Sequence, residues 1–292
     1  MKIFGKDKKK SEEQKKELTV EDLITLERYD EAEEKLKARI KVVPKDLYAH
    51  LKLAEVYVAL KNVSKALDEY AFVADSHADD GFFDKGIALL GKAAKLAPGD
   101  DTLPRRIEKY KRMKIQEQRR RLAIEGLKEN KSARDGSTAG DEALEVEMLW
   151  NKIAKSHLVD KLDGEMLKKL FSVMEMIHTR DGQLLAEMGS QVPAMYLVVA
   201  GIVEAGAEIG SRYVDIRSFS TGDVIGESAL LERKAWPATY KVKEAGTIFR
   251  LNRDGLEQTM IGNKDPRGFI SVLREQNNDR DVAVSLQRLR RS

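Results

Sequence analysis

The chain has 292 residues, a length that suggests about two domains. Its 52 Lys and Arg against 49 Asp and Glu give a formal net charge of +3, which does not by itself indicate nucleic-acid binding. The absence of cysteine excludes disulfides and thiolate-based metal or catalytic sites, and it is compatible with a cytoplasmic location. No stretch reaches the roughly 18–20 apolar residues of a membrane-spanning helix, so we expect no membrane span.

Residues 1–18 form a lysine-rich start without an apolar segment, which is unlike a secretory signal. We predict a disordered polar tail, because this composition buries too little apolar surface to fold. The alternative is a weak electrostatic anchor to an acidic partner.

Residues 19–100 have the spacing of short helices separated by tight turns. Ala32, Leu36 and Pro44 stand at small, large and helix-ending positions, and residues 47–80 repeat the pattern in a 34-residue frame. The matching positions of this second unit are Leu53, Ala54, Tyr57, Ala66 and Tyr70. The region resembles tetratricopeptide repeats, in which each helix pair buries its apolar face against the next. The resemblance implies a surface that binds a protein partner.

A third pattern in the same region, residues 82–98, arrives too early for a full further repeat. We therefore predict that the helix around residues 64–77 serves both of its neighbours. The alternative for the whole region is an unrelated array of helical hairpins.

A long basic helix is predicted to follow, over residues 103–130. Residues 105–130 carry ten Lys and Arg against four acids. Charge runs of this kind are usually solvated helix faces, and an acidic partner is the alternative. We predict that the helix caps a helical domain of residues 19–130, and that the small, polar residues 131–142 form a flexible linker.

Residues 143–292 change character along their length. Helical spacing over residues 143–156 and 163–178 gives way to short β-rich runs near 183–188, 194–199, 201–207, 211–218, 238–243 and 246–251. Helical spacing returns over residues 253–261 and 266–291. Short strands with closely spaced turn signals favour a barrel or a roll.

Residues 222–239 contain the most informative motif of the chain, and residues 148–275 as a whole are similar to the cyclic-nucleotide-binding domain. The positions that fit the phosphate-binding cassette of this family are Gly226, Glu227, Ala229, Leu230, Leu231, Ala238 and Thr239. The family is a β-roll shared by the catabolite activator protein and cyclic-nucleotide-dependent kinases. We therefore predict an α+β multidomain protein: an N-terminal all-α, tetratricopeptide-like region and a C-terminal cyclic-nucleotide-binding-like β-roll with flanking helices, residues 143–292.

The resemblance implies a ligand site in this cassette. Gly226 would allow a close approach, the backbone N–H groups of Ser228 and Ala229 would point at a phosphate, and Glu227 would accept a hydrogen bond from a ribose hydroxyl. Thr239 would lie near the end of the cassette. Candidate ligands are cAMP, cGMP or a cyclic dinucleotide.

Trp236 occupies the position at which the family has its phosphate-binding arginine. A charge-assisted arginine–phosphate contact contributes about 1.5–3 kcal/mol, so affinity for the usual ligands should be low. The indole could stack on a base or fill the space of an absent ligand. Arg233 or Lys234 could supply the charge only along a re-routed loop.

The sequence has no catalytic or metal-binding signature. Its four histidines, at positions 50, 77, 157 and 178, have no paired ligand one turn away, so we expect no metal and no enzyme activity. The leading hypothesis is a non-catalytic intracellular signalling adaptor, with a structural scaffold holding a ligand-free pocket as the alternative. A DNA-binding role is less favoured, because too little sequence follows the predicted helix of residues 266–291 for a helix-turn-helix. A homodimer through residues 266–291 is a further hypothesis.

Overall fold

The computed structural model describes residues 18–135 and 139–291, so all but the last residue of the predicted polar tail lies outside the described residues. The chain divides into two compact units, Met1–Ile115 and Gln116–Ser292. None of the helices that the structure describes is long and apolar enough to cross a membrane.

The first unit consists of helices in its described part. Their bounds are α1 Val20–Thr25, α2 Tyr29–Val42, α3 Leu47–Ala59, α4 Val63–Asp79, α5 Phe83–Leu96 and the first part of α6 Thr102–Asp135. Side chains that cap helix N-termini mark several starts: Thr19 and Asp22 form a capping box, and Asp46 and Asn62 accept from N–H groups one turn on.

Consecutive helices of this unit pack against each other, and α4 packs on both α3 and α5. The small residues of the repeat pattern let them approach closely. Ala32, Ala66 and Ala93 are fully buried, and a Cβ on Gly86 would lie 2.8 Å from the carbonyl oxygen of Ala74. The helical character predicted for this region is present, while its tetratricopeptide character stays a prediction.

The long helix α6 extends further than the sequence indicated, and its second half belongs to the second unit. Asn130 donates to the carbonyl oxygen of Phe171 at 2.6 Å, and the guanidinium of Arg119 donates to that of Val159 at 2.6 Å. A Cβ on Gly126 would lie 2.3 Å from the carbonyl oxygen of Lys168. Residues 116–130 therefore cover the helices that follow them, and the predicted role of the long helix as a cap for the helical region stays a prediction.

The predicted linker, residues 131–142, also differs from the structure. Helix α6 continues to Asp135 and α7 begins at Ala139, ending at Ile153. Residues 136–138 lie outside the described residues. Two shorter helices follow, α8 His157–Lys161 and α9 Gly164–Val173. The helix predicted over residues 163–178 therefore stops early, and its last residues form a strand.

The second unit is built on one antiparallel sheet with the order β1-β6-β3-β4, in which β2 pairs with β6 and β5 with β3. The strands are β1 Glu175–His178, β2 Leu184–Ala186, β3 Ala194–Ile209, β4 Arg212–Phe219, β5 Val224–Ile225 and β6 Thr239–Asn252. Two pairs of predicted short runs thus form two long strands with register shifts. Glycine lets the two strands approach closely where the register shifts, since a Cβ on Gly246 would lie 2.0 Å from the carbonyl oxygen of Ala200.

The remaining helices are α10 Glu227–Glu232, α11 Arg253–Met260, α12 Pro266–Arg274 and α13 Asn278–Leu289. The single helix predicted over residues 266–291 is therefore two helices. Asn277 has a left-handed backbone, with φ of 55°, and this residue breaks the helical path. The break directs α13 back onto the roll.

The interior of the second unit has two apolar clusters. One lies between the sheet and the helices and includes Phe171 and Phe249. The other fills the roll itself and includes Trp236, Tyr240 and Val282 of α13. Four apolar side chains proposed for a homodimer, Phe269, Leu273, Val282 and Leu286, are buried within the chain, and the homodimer stays a prediction.

Candidate functional site

The cassette begins where β5 turns into α10. Gly226 makes this turn with φ of 85°, a conformation that strongly favours glycine. A Cβ at this position would lie 2.4 Å from both the carbonyl oxygen of Ala194 and the indole of Trp236. The close approach expected of Gly226 is therefore made to the chain's own backbone and indole.

Trp236 is part of the core of the roll. Its side chain is 1% exposed, and its Nε1–H donates to the carbonyl oxygen of Val192 at 3.0 Å. The ring meets Tyr240 edge-on, with 4.9 Å between centroids, and Tyr196 at 6.0 Å. The indole therefore fills the interior of the roll, which is one of the two roles that the sequence suggested for it.

The N–H groups of the cassette bind a carboxylate from the C-terminal helix. Asp279, in the first turn of α13, accepts from the Gly226 N–H through Oδ1 and from the Ser228 N–H through Oδ2, each at 3.0 Å. The Ala229 N–H also lowers the pKa of this carboxyl, and the hydroxyl of Tyr240 donates to Oδ1 at 3.1 Å. Carboxylate and phosphate are bound by the same kind of donor at a helix start.

Glu227 completes the arrangement from the other side. Its Oε1 accepts from the backbone N–H of Asp279 at 2.8 Å, while its buried Oε2 has no hydrogen-bond partner among the residues that the structure describes. Asp279 thus contacts both parts of the cassette. Its carboxylate accepts from the N–H groups of Gly226 and Ser228, and its backbone N–H donates to Glu227.

The buried carboxyl groups perturb each other. Burial, and then the nearby Asp279, raise the pKa of Glu227 to about 8. Burial also raises the pKa of Asp279, against the lowering effect of its N–H donors and of Tyr240. Since Asp279 has more donors than Glu227, the pair is most stable with a proton on Glu227 and the charge on Asp279.

A surface pocket of about 510 Å³ adjoins this pair. Glu227, Ser228 and Asp279 contribute to its wall, together with three cationic residues: Lys234, Arg274 and Arg280. Lys234 and Arg274 both face Glu232, at 2.6 and 3.7 Å.

The other residues considered from the sequence lie away from the carboxylate. Thr239 opens β6, where its hydroxyl accepts from the Met188 N–H at 3.2 Å. Arg233 has a left-handed backbone and ends α10. His50 contacts Glu69 and the carbonyl oxygen of Pro44. Within the ranges that the structure covers, no group of three or more His, Asp or Glu is placed to hold a metal.

Sequence reasoning missed Asp279 and Tyr240. In the single helix predicted over residues 266–291, Asp279 would lie in the middle among other charged residues, so it gave no separate signal. Tyr240 follows Thr239 directly, and side chains alternate along a strand. That alternation could have shown that Tyr240, and not Thr239, faces the inside of the roll.

Residues 176–263 match the family model of the cyclic nucleotide-binding domain, which confirms the predicted domain within these limits. No curated protein matches the chain. Among solved structures, the regulatory domain of Toxoplasma gondii PKA with cAMP is 22% identical with a TM-score of 0.37, over 41% of this chain and 45% of that chain.

Two further solved structures are similar at the same level. The regulatory subunit of a cAMP-independent protein kinase A from Trypanosoma brucei is 18% identical, with a TM-score of 0.41 over 49% of this chain and 51% of that chain. The Thermus thermophilus catabolite activator protein is 20% identical, with a TM-score of 0.35 over 47% of this chain and 59% of that chain. The chain spans about half the length of the two kinase regulatory proteins.

Proposed function

We propose that this chain is a non-catalytic regulatory protein whose cyclic-nucleotide-binding domain is held closed by its own C-terminal helix, and that it does not act as a receptor for cAMP or cGMP. The proposal rests on one observation: the carboxylate of Asp279 accepts hydrogen bonds from the backbone N–H groups of Ser228 and Ala229. These are the donors expected to bind a cyclic phosphate. The helical region would bind a protein partner in this scheme.

The arrangement opposes nucleotide binding in two ways. The cassette N–H groups serve one anion at a time, so a phosphate must first displace the carboxylate of Asp279. The phosphate would then lack an arginine, because the corresponding position holds a buried Trp236. The missing charge-assisted contact alone corresponds to about 1.5–3 kcal/mol, or roughly tenfold to a few hundredfold in affinity.

A second candidate function is the sensing of an anionic nucleotide by displacement of α13. It is favoured by the pocket of about 510 Å³ beside Glu227, whose wall includes Lys234, Arg274 and Arg280. These cations could bind a phosphate outside the cassette before Asp279 leaves it.

Calorimetric titration of the full chain separates the two candidates. We expect no binding heat with cAMP, cGMP or cyclic dinucleotides at ligand concentrations up to the millimolar range. Stoichiometric binding of any of them to the unmutated chain would contradict the first proposal and support the second.

A pair of substitutions tests the reason for the absence of binding. Trp236→Arg alone should not create cAMP binding, since Asp279 still occupies the donors. Trp236→Arg combined with Asp279→Ala should create measurable binding in the same calorimetric titration, provided that circular dichroism shows a folded variant. If Trp236→Arg alone binds as well as the double variant, Asp279 is not the obstacle.

A further inference from the structure

We propose that Glu227 and Asp279 form a proton-dependent latch that docks helix α13 on the roll and weakens as the pH rises. This inference rests on the proposed function, since both require Asp279 in the cassette. It adds a regulator, the proton, and a moving element, α13.

The geometry of the pair supplies the first argument. Glu227 and Asp279 are 3% and 2% exposed, and the Oε1 atom of Glu227 accepts the backbone N–H of Asp279. Two ionised carboxylates buried next to each other repel each other strongly. The docked helix therefore requires a proton on the pair.

Within the part of the chain that the structure describes, no cation forms an ion pair with Glu227 or Asp279 that could replace this proton. Tyr240 of β6 donates to Asp279, and Asp281 of α13 acts on Glu227. Arg217 of β4 acts on Tyr240. Arg217 pairs with Asp281 at 3.2 Å, on the surface of the unit. Of the three cations in the adjoining pocket, Lys234 and Arg274 face Glu232, and Arg280 makes no ion pair with either carboxylate among the described residues.

The unpartnered Oε2 atom of Glu227 is the second argument. A buried oxygen with no hydrogen-bond partner is much less costly as part of a neutral carboxyl group than as part of a carboxylate. The atom thus favours the protonated form independently of the charge on Asp279.

The sign of the pH effect follows from the docked and released states. In the docked state the pKa of Glu227 is raised from 4.5 to about 8, whereas in the released state water restores an ordinary value. The docked helix then binds the proton more tightly, so docking is fully stable below about pH 4.5 and weakens progressively up to about pH 8. A rise in pH releases α13, and a fall in pH docks it again.

Thiol labelling measures this release, because the chain has no cysteine and one can be placed on α13. Val282 is fully buried and Val284 is 39% exposed, so Val282→Cys reports release and Val284→Cys gives the reactivity of an exposed thiol on the same helix. The ratio of the two maleimide labelling rates removes the intrinsic pH dependence of the thiol.

We expect this ratio to rise at least about tenfold between pH 6 and pH 9. Glu227→Gln keeps the Oε1 acceptor and removes the titration, so the ratio should stay low and flat in that background. Glu165→Gln is the matched control: it makes the same change at an exposed residue in the first turn of α9, away from the cassette, and the rise should persist. A ratio that does not change with pH, or a rise that persists in Glu227→Gln, would overturn the latch.

A second measurement covers the case in which Val282→Cys does not fold. Hydrogen exchange of the α13 amides in the unmutated chain, corrected for the intrinsic pH dependence, should show the same loss of protection from pH 6 to pH 9, with unchanged protection in β3. The latch and the proposed function fail separately: constant protection of α13 contradicts the latch alone, while nucleotide binding by the unmutated chain contradicts the proposed function.

Discussion

Gly226 and Tyr240 are two single residues that shape the cassette around the carboxylate of Asp279. The glycine brings the backbone within contact of the Trp236 indole, and the tyrosine hydroxyl adds a side-chain donor to the Asp279 carboxylate. Burial is the main reason that the pKa of Tyr240 is raised, followed by the charge on Asp279. The hydroxyl therefore remains a donor throughout the physiological range.

Gly226→Ala should destabilise the second unit by more than its backbone strain alone. The new Cβ would meet the Ala194 carbonyl oxygen and the Trp236 indole at 2.4 Å, and such overpacking costs about 1–3 kcal/mol. Gly189→Ala is the control, because Gly189 has φ of 81° but no atom within 4 Å of its Cβ position. Urea unfolding should give a clearly larger loss for Gly226→Ala, and equal losses would contradict the assigned contact.

Tyr240→Phe should destabilise the second unit through the loss of a donor to a buried carboxylate. A hydrogen bond to a charged group contributes about 1.5–3 kcal/mol. Tyr213→Phe provides the comparison, since Tyr213 of β4 is in the same unit but is 47% exposed, so the same change removes a hydroxyl at the surface. Thermal unfolding should show the larger decrease for Tyr240→Phe, and a reversed order would mean that the Asp279 contact adds little.

At the scale of elements, the position of α13 depends on the break at Asn277. Its left-handed backbone separates α12 from α13, and Asn278 then donates to the carbonyl oxygen of Val224 at 2.5 Å. Asp279 follows directly and enters the cassette. A continuous helix over residues 266–291 would carry Asp279 along the surface, so the break creates the site.

The crossing of α6 with α9 is a second element-scale feature, and Gly126→Ala should disrupt it. The added Cβ would lie 2.3 Å from the Lys168 carbonyl oxygen, so the two helices must separate, at about 1–3 kcal/mol. Gly91→Ala is the control: Gly91 lies inside α5 and has no atom within 4 Å of its Cβ position. That change should instead stabilise by about 0.5–1 kcal/mol. Differential scanning calorimetry distinguishes the opposite signs.

At the scale of the whole molecule, the boundary between the two units falls within α6, between Ile115 and Gln116. Residues beyond it, such as Ala123 and Leu127, are buried in the same apolar cluster as Leu167 of α9. The second unit therefore needs these residues to cover its helices.

A chain of residues 116–292 should accordingly fold alone and unfold cooperatively. A chain of residues 143–292, which begins at the boundary that the sequence suggested, should lose cooperativity or aggregate, because it exposes the face of α9 that α6 covers. Near-ultraviolet circular dichroism and urea unfolding compare the two. Equal cooperativity in the two chains would contradict this prediction, because the second unit would then fold without residues 116–142.

The sequence was sufficient for the features that depend on local pattern. Short β-rich runs separated by glycines predicted a barrel or roll, and the resemblance of residues 222–239 to a family cassette predicted a cyclic-nucleotide-binding domain. The family match confirms this domain for residues 176–263. The presence of Trp236 at the position of the family's arginine could also be seen in the sequence, because it concerns one position in a motif of fixed spacing.

Only the tertiary structure decided what occupies the cassette. Asp279 lies 53 positions from Gly226 in the chain, and nothing local to either residue indicates that they meet. Their contact follows from the break at Asn277 and from the packing of α13 on the roll, both of which depend on long-range burial. The ionisation of Glu227 is likewise a product of tertiary structure, because burial and a carboxylate from a distant helix raise its pKa.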